Sequence, residues 1–139
     1  MSDAIFVPQN GRYLPTELAG SPWGDDLVHG GPPAALLARA IEQLNRNPDL
    51  HVSRLTVDLF RPVPKAPLEV TARPVREGRR ILVVEASVFA NGVEVCRASG
   101  LLLRQSEAVV PEGYRAAGPP PGPDGIETTL MSRAPLRLA

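Results

Sequence analysis

The chain predicts an α+β domain in which one buried helix precedes an antiparallel sheet, and three observations carry that prediction. Residues 32–46, PPAALLARAIEQLNR, have apolar side chains at 34, 35, 36, 37, 38, 40, 41 and 44. These cover nearly the whole circumference of the first two turns, where a surface helix needs a single stripe. Four segments rich in Val, Leu, Ile, Phe and Thr then follow in succession: HVSRLTVDLF, PLEVTARPV, ILVVEASVFA and VEVCRASGLLLR. Strands joined without intervening helices pair antiparallel. Between the last two lies Asn91-Gly92, whose residues tolerate the positive φ angles of a type I′ hairpin turn.

Taken in order, residues 4–7 and 13–18 are suited to one or two short strands. Pro32 and Pro33 fit the first turn of the helix, where a missing N–H costs no intrahelical bond. Asn47-Pro48 ends the helix. Glu77-Gly78-Arg79 marks a looser turn between the second and third strands. Counting outward from Asn91-Gly92, Ala90 is expected opposite Val93, Val88 opposite Val95, Ala86 opposite Arg97 and Val84 opposite Ser99. The other face then pairs Phe89 with Glu94 and Ser87 with Cys96. Neither face is cleanly polar in this register, which suggests that the helix covers one and a partner the other.

A chain of 139 residues can bury one core but not two. The domain is expected over residues 1–110, followed by a proline-rich linker at 111–125 that contains GPPPGPDG, and a tail at 126–139 too short to fold alone. Lys+Arg and Asp+Glu are both 15, so the formal charge is zero and no basic run offers a footprint for nucleic acid. The single cysteine, Cys96, forms no internal disulfide. The opening MSDAIFVPQN lacks the features of a signal peptide, and no run approaches the ~20 apolar residues of a membrane span. A cytoplasmic location follows as the expectation, with no membrane partner. His29, His51 and Cys96, separated by 22 and 45 residues, have no metal-ligand spacing. No metal is expected.

The segment WGDDLVHGGPPAALLARAIEQL, residues 23–44, resembles the opening of the central helix in acyl-CoA thioesterases, above all the thioesterase II type. The likeness runs on through SRLTVDLFRPVP and the hairpins, over about residues 10–104. It implies a hot-dog fold, an antiparallel sheet wrapped around one central helix. It also implies an acyl-CoA substrate, no cofactor beyond the CoA of that substrate, and a homodimer with the thioester site where two sheets meet.

Within that frame Gly30 and Gly31 are the first candidates. Helix-start amides lack internal partners and sit at the positive end of the dipole, so they suit a developing oxyanion. Two glycines forming only a tight turn is the competing reading. His29 either orients the substrate carbonyl or a water, or packs at the helix start. Hot-dog thioesterases that carry His-Gly-Gly place a carboxylate about nine residues on, where this chain has Ala38. Glu42, one turn further on the same face, is the substitute candidate. Asp26, beside Asp25, and Asp58 are candidate substrate contacts, with a solvated role as the alternative for each. In the thioesterase II type the catalytic Asp belongs to a second hot-dog domain, and no residue here matches it. Three functions therefore stand in order: an acyl-CoA thioesterase, a non-catalytic domain that binds acyl-CoA or completes a partner's site, and a thioester hydratase.

Overall fold

The computed structural model describes residues 4–115, 117–120, 122 and 124–125. The expected tail at 126–139 lies outside them. Residues Met1–Gln105 form one compact unit and Ser106–Ala139 a second. The described part of the second unit has turns at 112–113 and 124–125 and no helix or strand.

The first unit holds every regular element. A hairpin, β1 (Phe6–Gln9) and β2 (Arg12–Pro15), precedes the short strands β3 (Gly20–Ser21) and β4 (Gly24–Val28). The helix α1 (Gly31–Leu44) follows, then β5 (Leu50–Leu59), β6 (Val63–Pro64), β7 (Leu68–Gly78), β8 (Ile81–Ala90) and β9 (Val93–Arg104). Six strands make one antiparallel sheet in the order β1-β2-β7-β8-β9-β5, and β3-β4-β6 make a second. The helix packs on β7, β8 and β9, with Leu37 and Ile41 fully buried against Leu68, Val84, Val88 and Leu102. This is the hot-dog arrangement, and burial of apolar surface between helix and sheet is its main stabilising term.

The helix stops two residues short of the expected end at 46, with its last apolar residue. It ends at Leu44 because Asn45 turns extended and its side chain is taken up locally, donating to the Leu50 carbonyl at 2.8 Å and accepting from the Asn47 amide at 3.1 Å. Asparagine competes with helical backbone bonding in this way.

The hairpin at Asn91-Gly92 forms with φ of 51° and 76° at the two turn residues. Ala90 opposes Val93 and Phe89 opposes Glu94 as expected, but Val88 then opposes Cys96, Ala86 opposes Ala98, Val84 opposes Gly100 and Ser87 opposes Arg97. The expected register is corrected by one residue because Val95 is the extra residue of a β-bulge. Its carbonyl accepts instead from the amides of Phe60 and Arg61, at 2.9 and 3.2 Å. The shift sorts the faces. Val84, Ala86, Val88, Cys96, Ala98 and Leu102 are buried toward the helix, while Glu85, Ser87 and Arg97 lie together on the other side. The outer face stays mixed away from the turn, where Ile81 opposes Leu103 and Val83 opposes Leu101.

Strand β5 is the edge of the large sheet. Its residues Val52, Leu55, Val57 and Leu59 pair with Leu102, Gly100, Ala98 and Cys96, so they share the helix-facing side. The helix leaves them largely uncovered: Val52 is 40%, Leu55 37% and Leu59 53% exposed.

Candidate functional site

A cavity of about 450 Å3 opens at the start of α1. Trp23, His29 and Gly30 form one wall, and Leu59, Phe60 and Arg61 another. The first wall is built by β4, which pairs Val28 with Gly20 on one side and with Val63 on the other. The chain is then held by the His29 amide, which donates to the Ala19 carbonyl at 2.9 Å. The second wall is held by the bulged Val95 carbonyl, which anchors Phe60 and Arg61 as they leave β5. Arg97 lies over the Phe60 ring at 5.8 Å and backs this wall from the outer side of the sheet.

The helix start is poor in donors. Pro32 and Pro33 have no N–H, and the Ala34 amide bonds the Gly30 carbonyl at 3.4 Å. The Gly31 N–H donates to Nδ1 of His29 at 3.2 Å. Among the described residues the Gly30 N–H has no hydrogen-bond partner. Because Nδ1 accepts, the ring proton of the neutral imidazole is on Nε2, which leaves Nε2–H as a second donor. The two glycines therefore differ. A Cβ on Gly30 would stand 3.0 Å from Leu59 Cδ1, so glycine keeps the two walls close, whereas a Cβ on Gly31 would meet His29 Nδ1 at an ordinary 3.5 Å.

The candidate carboxylates are not brought to this cavity. Glu42 is exposed in the last turn of α1, about 16 Å along the axis from Gly31 at 1.5 Å per residue. Asp25 and Asp26 are exposed on β4, and Asp26 contributes its carbonyl, which accepts from the Lys65 amide at 2.7 Å. Asp58 is exposed opposite Arg97, on the sheet side away from the helix, where it adds to the field on that guanidinium. Among the described residues no Asp or Glu lines the cavity, and the one formal charge there is Arg61.

Two further groups near the cavity are structural. Glu94 accepts from Arg97 at 2.8 and 2.9 Å and from the Ser87 hydroxyl at 2.6 Å, and the Arg97 bonds hold its carboxyl below the usual range. Cys96 is fully buried, and desolvation, helped by the nearby Glu94, pushes its thiol up to about 11. A thiol that stays protonated is no nucleophile. Among the described residues no three His, Cys, Asp or Glu side chains gather as metal ligands, and no helix is long and apolar enough to cross a membrane.

The sequence pattern pointed to His29 and Gly30, but it missed Trp23, quoted there without a role, and the whole second wall. Residues 59–63 are thirty positions from the helix start and approach it only through the sheet.

A family model described as acyl-CoA thioesterase N-terminal domain matches residues 19–103. Among solved structures, the chain is similar to a Bacillus halodurans protein crystallised with CoA, at 27% identity and a TM-score of 0.61, over 70% of this chain and 67% of that one. It is similar to a mutant of the phenylacetic acid degradation protein PaaI from Thermus thermophilus at 28% identity and 0.53, over 58% and 71% of the two chains. A Thermus thermophilus thioesterase complexed with coenzyme A and Zn shares the fold, at 24% identity and 0.58, over 75% and 90%. No curated protein matches.

Proposed function

Because the chain belongs to the acyl-CoA thioesterase N-terminal domain family, we propose that it binds an acyl-CoA at the start of α1 and acts in hydrolysis of the thioester to free acid and CoA. The observation that carries this reading is an apolar cavity with an unpartnered backbone donor, the Gly30 N–H, in its wall. The acyl group fills the apolar space, and its carbonyl oxygen takes hydrogen bonds from Gly30 N–H and His29 Nε2–H. Addition of water to the carbonyl carbon places negative charge on that oxygen. Donors already in position stabilise the charge without reorganising, each typically worth ~3 kcal/mol of barrier. The helix dipole acts in the same sense. Collapse of the tetrahedral intermediate breaks the C–S bond, and the departing thiolate takes up a proton. CoA held by the similar Bacillus halodurans protein supports a CoA ester as the ligand.

Activating the water requires a base, and among the described residues no carboxylate lines this cavity. Since none of this chain's described carboxylates reaches it, we assign the base to a second hot-dog domain docked along β5. The uncovered apolar row Val52, Leu55 and Leu59 and the unpaired backbone of an edge strand support that docking. The same missing carboxylate favours a second reading, in which the chain binds acyl-CoA and leaves the chemistry to a partner.

Thiol release from a panel of acyl-CoAs separates the two. Gly30→Pro removes the N–H at a φ of −62° that proline accepts, and Gly30→Ala, which brings the same Cβ to 3.0 Å from Leu59 Cδ1 but keeps the N–H, is its steric control. Hydrolysis that falls roughly 100-fold in Gly30→Pro supports the enzyme reading. Saturable binding without thiol release supports the second. Neither turnover nor binding would sink both.

A further inference from the structure

We propose that Trp23 is a positioning residue for His29: the indole fixes the plane of the imidazole so that Nε2–H is presented as a donor to the thioester carbonyl. This rests on the reading of the cavity given above.

Trp23 is the chain's single tryptophan and occupies the two-residue turn between β3 and β4. Its amide donates to the Ser21 hydroxyl at 3.2 Å, which ties the turn to β3. The indole lies on the His29 ring with centroids 5.5 Å apart and planes inclined by 23°, an offset stack. Trp23 is nonetheless 66% exposed, so its placement adds little burial to the core. What it covers is one face of a catalytic candidate.

The imidazole is thus held by two independent constraints. The Gly31 N–H to Nδ1 bond, at 3.2 Å, selects the ring's edge and its tautomer. The indole selects the plane. An exposed histidine with only the first constraint can swing about its Cα–Cβ bond whenever that single bond opens, and a donor displaced by an ångström loses much of its effect on a transition state. Charged groups on the surrounding elements are Asp25 and Asp26 of β4, the Glu17–Lys65 pair at 3.1 Å, and Arg61 across the cavity. Among the described residues none of these bonds the imidazole, so the stack and the Gly31 amide are its fixings.

The sole tryptophan gives a direct readout, because a protonated imidazole stacked on indole quenches its emission. Emission of the full chain is followed against pH in wild type and His29→Gln, with kinetics on Trp23→Leu and Trp23→Phe and circular dichroism to verify folding. The expected result is one emission transition that His29→Gln abolishes. Trp23→Leu should lower kcat about tenfold with KM within about twofold, and Trp23→Phe, which keeps an aromatic face, should recover most of it. A flat emission profile, a transition that survives in His29→Gln, or a wild-type kcat in Trp23→Leu overturns the proposal. Should the chain release no thiol at all, hydrolysis fails separately. The imidazole 15N shifts then decide the positioning role: Nε2–H dominant in wild type and averaged in Trp23→Leu supports it, and identical shifts overturn it.

Discussion

At Gly100 a missing methyl group sets how near the helix can lie to the sheet, since a Cβ there would stand 2.6 Å from Ile41 Cγ2 and 3.1 Å from Cδ1. Ile41 is fully buried and has nowhere to move. Gly100→Val is therefore expected to cost about 1–3 kcal/mol, read as a lowered denaturant midpoint at unchanged slope. Glycine inside a strand pattern does announce a close approach, and RASGLLLR contains one, but local pattern cannot say what approaches. Cys96 makes a second test. Its thiol ionises near 9 in the unfolded chain and about 11 in the folded one, so the unfolded state loses its proton first as pH rises. Stability from this group is complete below 9 and declines toward 11, by at most roughly 1.4 kcal/mol per unit. Cys96→Ala should remove that alkaline decline from a series of unfolding curves, while native Cys96 resists alkylation at neutral pH.

Among the elements, the hairpin shows what short-range chemistry settles and what it leaves open. Asn91-Gly92 names its own turn, because few residues accept φ of 51° and 76° in succession. Gly92→Ala should cost about 1 kcal/mol through strain at positive φ, although a Cβ there meets nothing within 4 Å. Thermal unfolding of that variant separates backbone strain from packing. The bulge at Val95 was not legible, since it is stabilised by amides of Phe60 and Arg61, which follow β5 some thirty-five residues earlier. The helix was legible from its apolar residues and prolines, and its last two expected residues, Asn45 and Arg46, were lost to asparagine side-chain bonds that a periodicity cannot weigh.

For the molecule as a whole, the order of one buried helix before an antiparallel meander, together with the His-Gly-Gly segment, was enough to reach the fold and the family. The cavity was only half legible, because its second wall arrives by tertiary contact, and the search for a carboxylate along α1 led to the exposed Glu42. If a second copy docks along β5, a charge on the helix-facing row should abolish association. Leu55→Lys is expected to shift light scattering of the full chain from dimer to monomer and to remove thiol release, with the Thr56→Lys control on the opposite face far milder. The two-sidedness of β5 then has a consequence for assembly errors. Val52, Leu55, Val57 and Leu59 face the helix, while Arg54, Thr56 and Asp58 pair with Leu101, Ser99 and Arg97 on the other side. A partner strand arriving upside down would carry an arginine and an aspartate into the greasy seam, and such an encounter dissociates before it can anneal. Under that docking the two faces of β5 would select the orientation of the incoming strand.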